Sequence, residues 1–287
     1  MISIVIPALN EERGIGATVT DIAGVLTAAG LMPFEIIVID DGSTDGTGNA
    51  AAKAGARIIR HPHNIGYGRS LKKGIEEATY DMIAICDADG TYPAAAIPEL
   101  VRLYNQGFDM AVGQRHGPHY RQSALKMPLR AVLRFLVEWT AGRRIPDINS
   151  GLRVFSRTAA MKYFPHLCDT FSFTTSMTLA YIMTRRFVTY FKIEYFERTG
   201  SSKVRLFRDS LKTLQYVVEA IVYYNPLKIF LLLSLICGVM AAIIMLISLY
   251  FSIVTGILLA VGTAVAAIIM FGIGLLAVLL KQIMDKA

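Results

Sequence analysis

No charged residue stands between Lys228 and Lys281, a run of 52 positions. Soluble helices rarely stay uncharged for so long, which argues against a buried soluble hairpin. A spanning helix needs about 20 apolar residues, so the run is read as two membrane spans joined by a tight turn near Ser252 to Gly256. Cysteine is scarce too. Cys86, Cys168 and Cys237 are scattered, with no CxxC and no paired framework, which suits a reducing compartment rather than a disulfide scaffold. The N-terminal MISIVIPAL has no basic segment before it and is cut short by Asn10, Glu11 and Glu12. It reads as a strand, not a signal peptide. The bulk of the chain then stays on the side where it is made, and Lys228, Lys281 and Lys286 flank the spans on that side. This describes a multi-pass protein of the cell membrane with its large domain cytoplasmic. Neither an internal repeat nor a low-complexity linker is present.

What is there is unevenly charged. Residues 1–112 hold 8 Lys and Arg against 14 Asp and Glu, a net of −6, while residues 113–228 hold 19 against 7, a net of +12. A basic half next to membrane spans suits contact with anionic lipid better than with nucleic acid. Short apolar runs at Ile2–Ile6, Phe34–Ile39, Ala56–Ile59, Met82–Cys86 and Asp109–Val112 alternate with helical lengths. That alternation predicts an α/β domain with a parallel sheet and helices on both faces. The spacing predicts amphipathic helices over Ser123–Thr140 and Arg205–Tyr224, the first with Lys126, Arg130 and Arg134 beside its apolar face. Both read as membrane-surface helices. Residues 1–203 would form the α/β domain, 204–226 a juxtamembrane helix and 227–287 the two spans.

The chemistry gathers where strands end. In MIAICDADGTYP (82–93) an apolar run passes into Asp87 and Asp89, separated by one small residue. On an extended segment the two carboxylates point the same way and Ala88 the other. They repel each other unless a cation lies between them, and a hard divalent ion completed by substrate phosphates meets that need. A surface turn is the plainer reading of DADG. Glu11 after the first strand and Asp40 and Asp41 after the second add to the set. The crevice at the carboxyl ends of strands is where ligands bind in open α/β sheets. HNIGYGRSLKKG has Gly66 and Gly68 but Leu71 where a dinucleotide fingerprint needs its third glycine. The pairs His61/His63 and His116/His119 lack the third ligand of a catalytic metal site.

Six motifs in order, VIPALNEE (5–12), IDDGSTDGT (39–47), DADG (87–90), VGQR (112–115), DINSGLR (147–153) and RTGSSK (198–203), resemble those of the family 2 glycosyltransferases of the GT-A fold. Within that family the chain is similar to the polyprenyl-phosphate glycosyltransferases, over nearly its whole length. The resemblance implies a GT-A domain, with a mostly parallel Rossmann-like sheet, followed by interfacial helices and a two-helix transmembrane hairpin. It implies that Pro7, Leu9, Glu11 and Asp41 line the base pocket, that Asp87 meets the ribose, and that Asp89, with Asp87 beside it, binds Mg²⁺ or Mn²⁺. Asp89, Asp147 and Arg153 would be the catalytic residues. Arg115 would contact phosphate, with Ser150, Arg198, Ser202 and Lys203 holding the phosphates and acceptor. Thr91 stands where dolichyl-phosphate mannose synthases typically carry Gln.

The implied reaction moves a hexose, glucose- or mannose-like, from a UDP- or GDP-linked donor to undecaprenyl or dolichyl phosphate at the cytoplasmic face, with inversion. Oligomeric state, monomer or homo-oligomer, is open. A processive polysaccharide synthase would carry QxxRW and more spans, and a nucleotidyltransferase a GxGTR-like loop where this chain has ALNEER. A glycosyltransferase for another lipid or polysaccharide acceptor, or an inactive membrane scaffold on the same fold, are the remaining alternatives. A scaffold has no need of Asp41, Asp87, Asp89 and Arg153 together.

Overall fold

The computed structural model describes residues 1–118, 135–197 and 206–284. They fall into two compact units, Met1–Val217 and Val218–Ala287. In chain order the first unit runs β1 (Ile2–Ala8), α1 (Glu12–Ala28), β2 (Phe34–Asp40), α2 (Thr47–Lys53), β3 (Arg57–Arg60), α3 (Tyr67–Glu76) and β4 (Met82–Ile85). It continues with α4 (Ile97–Asn105), β5 (Met110–His116), a helical segment α5 (135–141), β6 (Arg153–Ser156), α6 (Arg157–Met161), α7 (Phe173–Met183) and β7 (Val188–Glu194). Helix α8 (Leu206–Tyr224) carries the chain from the first unit into the second, which adds α9 (Pro226–Tyr250) and α10 (Val254–Met284). Helix α8 lies within the stretch 204–226 and divides at Val217 between the units.

Strand β1 is buried along its whole length, as a strand covered on both faces must be. Its Ile2, Ile4 and Ile6 join Ile15, Val19, Ile22 and Leu26 of α1 and Ile97, Leu100 and Val101 of α4 in one core. Those α1 residues recur at three- and four-residue steps, one apolar stripe of a helix. Val5 turns to the opposite face, against α3. There a Cβ on Gly74 would lie 3.0 Å from Ile39 Cδ1, so α3 can sit this close only because that position has no side chain.

The seven strands stand in the order β3-β2-β1-β4-β6-β5-β7. Pairs β1–β2, β1–β4, β2–β3 and β5–β7 are parallel, whereas β6 runs antiparallel to both β4 and β5. The sheet is mixed but mostly parallel, in keeping with the mostly parallel sheet expected from the sequence. Strand β6 enters from the crevice edge, where Arg153 pairs with Ile85 and Val112, so it must run against its neighbours. Ala8 lies opposite Asp40, and the Asp41 amide donates to the Ala8 carbonyl at 2.9 Å. The ends of β2, β1 and β4 therefore open side by side.

In the second unit α9 and α10 are both long and apolar enough to cross a membrane. The turn occupies residues 251–253, shorter than the expected Ser252–Gly256, because Gly256 is already inside α10. Across the pair Ser234 Oγ donates to the Ala267 carbonyl at 2.8 Å, and Lys281 Nζ of α10 donates to the Tyr224 carbonyl at the end of α8 at 2.7 Å. Most of the basic helix expected over Ser123–Thr140 lies outside the described residues.

Candidate active site

One wall of the crevice is built on the loops after β1 and β2. The Asn10 and Glu11 amides donate to Ser43 Oγ (2.9 Å) and Thr47 Oγ1 (2.8 Å), which ties the start of α1 to the turn before α2. Pro7 is buried within β1, and Leu9 and Glu11 are half-buried at its end. Asp40 is engaged by Arg60 Nε at 2.9 Å and the Ser43 amide at 2.9 Å. Asp41 is 4% exposed and organises the next loop: His61 Nδ1 lies 2.9 Å from its Oδ1, and the Ile65 and Gly66 amides each donate to it at 3.0 Å. His61 is thus a partner of Asp41 rather than one of a pair of metal ligands.

Strand β4 stops at Ile85, so Asp87 and Asp89 do not lie on an extended segment, and alternation along a strand does not set their directions. Each is oriented by its own neighbours. Tyr67 donates its hydroxyl to Asp87 Oδ1 at 2.8 Å. From the other side the Gly151 backbone presses in, where a Cβ would fall 2.7 Å from Asp87 Oδ2. Asp89 is buried, and its Oδ1 accepts from both the amide (3.2 Å) and the hydroxyl (2.6 Å) of Thr91. The departure at Thr91 thus supplies a short hydroxyl that caps Asp89. Burial, and then the Asp87 carboxylate, push the Tyr67 phenol well above its ordinary pKa, so it stays protonated and donating. Burial raises the Cys86 thiol as well, with Asp87 and Asp89 adding to the shift, which leaves it un-ionised and inert.

The far wall comes from β5 and the loop entering β6. Arg115 grips Asp147 with two prongs, Nε to Oδ2 at 2.8 Å and Nη2 to Oδ1 at 2.9 Å, and its guanidinium lies 5.5 Å from the Tyr195 ring centre. Ser150 Oγ donates to the Gly113 carbonyl at 2.5 Å, and the Gly151 amide to the Tyr92 hydroxyl at 2.6 Å. Arg153 is fully buried. It donates to the carbonyls of Ser150 (2.8 Å), Ile148 (3.0 Å) and Thr174 (2.9 Å) and to Thr178 Oγ1 (2.7 Å). A guanidinium so placed holds the Asp147–Gly151 loop and does not open onto the crevice. Burial lowers its pKa, while Tyr190 and Asp147 favour the charged form.

The structure therefore brings Asp87 against the loop of Asp147 and Ser150, and joins Asp147 to Arg115. Asp41 stands apart in its own network. Arg198, Ser202 and Lys203 lie outside the described residues. Sequence reasoning passed over Tyr67, Tyr92 and Tyr195, because an aromatic beside a helix start or after a turn carries the same signal as a core residue. The donor set suits a hard divalent cation. Two carboxylates within one turn are the share a protein contributes when substrate phosphates complete a Mg²⁺ shell. Among the described residues no group of three or more His, Cys, Asp or Glu could hold an ion unaided.

The chain is similar to several known proteins. The chain is 35% identical over 170 residues to an uncharacterized protein of Methanocaldococcus jannaschii, covering 56% of this chain and 67% of that one. It is 27% identical over 255 residues to the undecaprenyl-phosphate 4-deoxy-4-formamido-L-arabinose transferase of Yersinia enterocolitica, covering 84% and 72%. The chain spans about half the length of other curated relatives, 48% of an uncharacterized glycosyltransferase of Mycobacterium tuberculosis among them. Its fold matches glucosyl-3-phosphoglycerate synthase of M. tuberculosis, solved with Mn²⁺, UDP and phosphoglyceric acid. The TM-score is 0.64 at 20% identity, over 77% of this chain and 78% of that one. The sheet and its helices are those of the GT-A fold. The profile for glycosyl transferase family 2 matches residues 3–164, over half of the sequence, and the chain belongs to that family.

Proposed function

We propose that this protein transfers a hexose from a nucleotide-diphosphate sugar to a polyprenyl phosphate at the cytoplasmic face of the membrane. The observation that carries the reading is the reach of the likeness to the Yersinia transferase. It covers 84% of the chain, well past the family domain that ends at residue 164. That relative is named for its action on undecaprenyl phosphate, and the apolar hairpin α9–α10 gives this chain a place beside such a lipid.

Asp89, with Asp87, would hold Mg²⁺ or Mn²⁺, which neutralises charge developing on the leaving diphosphate. The remaining work falls to the chain. The walls around Pro7, Leu9, Glu11 and Asp41 receive the nucleotide, and the Asp41 network fixes the loop at 61–66 that borders it. The acceptor needs no strong base, because a phosphate monoester with a second pKa near 6 is already a dianion at neutral pH. Its oxygen forms the new bond to the anomeric carbon while the bond to the donor diphosphate breaks, and the electron pair leaves with the diphosphate. One such displacement inverts the anomeric centre. Arg115, Arg198, Ser202 and Lys203 are the groups assigned to the phosphates. Asp147 and Arg153 serve the site by orienting Arg115 and the Asp147–Gly151 loop.

The test is full-length protein in detergent with labelled UDP- and GDP-sugars and short polyprenyl phosphate, followed by product extraction. Labelled lipid is expected with at least one donor, and its absence with all of them counts against the reading. Loss of one charge-assisted contact costs about tenfold to a hundredfold in apparent affinity. Lys203→Ala is therefore expected to raise KM for the lipid far more than for the donor, and Asp41→Ala the reverse. Equal effects on both constants would mean that the acidic and basic halves do not divide the two substrates.

A further inference from the structure

The segment between the short turn at Phe164–His166 and helix α7 is fastened to α3 by backbone and side-chain contacts. The Arg69 amide donates to the Asp169 carbonyl at 3.0 Å. Lys72 Nζ reaches both the Leu167 carbonyl (2.7 Å) and Asp169 Oδ1 (2.6 Å). At Gly68 a Cβ would run into the carbonyl of Cys168 and lie 2.7 Å from the Asp169 carbonyl carbon, so this approach exists only because that position is glycine. The segment is braced from behind by the Cys168 amide, which donates to Ser176 Oγ at 3.1 Å.

This fastening holds Phe171 stacked on Tyr67, with ring centres 5.8 Å apart and planes 16° from parallel. Phe171 remains 48% exposed, so burial of that ring is not what the strap achieves. The one polar atom of the ring pair is the Tyr67 hydroxyl, and it donates to Asp87. A phenol suits this task. It is rigid, it donates one hydrogen bond, and it adds no positive charge that would compete for a diphosphate.

We propose that Tyr67 is a positioning residue for the donor. It is locked by Phe171 and the 167–171 strap, and it fixes the Asp87 carboxylate against Gly151 so that Asp87 meets the hydroxyls of a nucleoside diphosphate. This rests on the reading of the site given above, and it assigns a task to two aromatic side chains which that reading leaves idle.

Tyr67→Phe removes the hydroxyl and keeps the stacked ring. Titration calorimetry on the full-length protein in detergent, with UDP and with GDP, each in Mn²⁺ and in EDTA, measures the result. Tyr67→Phe is expected to weaken binding of the preferred nucleotide about tenfold while leaving the lipid KM and the melting temperature in place. Phe171→Leu is expected to weaken it less, in the same direction. In an Asp87→Asn background Tyr67→Phe should have no further effect, since the two changes break one contact. Unchanged affinity in Tyr67→Phe, or a full effect persisting in the Asp87→Asn background, overturns the proposal. Wild-type protein that binds neither nucleotide overturns the donor-site reading itself, and the proposal with it.

Discussion

Asp89→Asn is expected to lower turnover by a factor of about 10²–10³ with the fold intact, the size of loss seen when one element of charge stabilisation at a reacting centre is removed. The substitution is mild sterically. Asn keeps an oxygen that can accept both bonds from Thr91, so the cap on this buried side chain survives and only the negative charge goes. Wild-type protein in EDTA should fall to a similar level, and the variant should gain little from added Mn²⁺. Circular dichroism and the melting temperature serve as the control for folding. Full turnover in the variant, or in EDTA, would remove the divalent ion from the account.

Arg153→Ala should show the largest loss of stability. The guanidinium is fully buried and meets three backbone carbonyls and the Thr178 hydroxyl. Removing it takes one donor from each of those carbonyls in a dry interior, with Thr178 Oγ1 left to serve Ile148 and Thr174, and opens a cavity as well, together about 3–5 kcal/mol. For a unit of this size that is on the order of 10 °C in Tm. Arg153→Lys should recover little, because one ammonium cannot reach what a planar fork reaches from both its ends. Thermal unfolding of the full chain measures both variants, and a Tm unchanged in Arg153→Ala would show that the Ile148–Ser150 carbonyls find other donors.

The sequence showed five of the seven strands, because β1 to β5 are short apolar runs set off by turns and helices. It did not show β6 or β7. Strand β6 opens on an arginine, and no hydropathy pattern marks a charge that will be buried because carbonyls surround it. Strand β7, VTYFKIE, mixes buried Val188 and Ile193 with exposed Phe191 and Lys192, so neither alternation nor a continuous run announces it. The carboxylates were legible for a different reason. Asp41, Asp87 and Asp89 follow strands whose carboxyl ends must face the crevice, and position alone marks them. What holds each one was not legible: Tyr67, Thr91 and His61 come from other parts of the fold or look like ordinary turn and core residues. The bidentate hold of Arg115 on Asp147 spans 32 positions, which no local spacing reveals.

The backward run of β6 leaves its preceding loop without slack. Asp147 is pinned by Arg115 at one end and Arg153 is seated in the sheet at the other, while Ile148, Ser150 and Gly151 are each fastened in between. In a strand one added residue turns every following side chain to the opposite face. An insertion here would carry Arg153 to the place of Val154, in the α1 and α4 core, and Leu152 to the place the arginine had occupied. Loop length at this point is therefore as constrained as residue identity, and change in this wall of the site must come by substitution rather than by insertion.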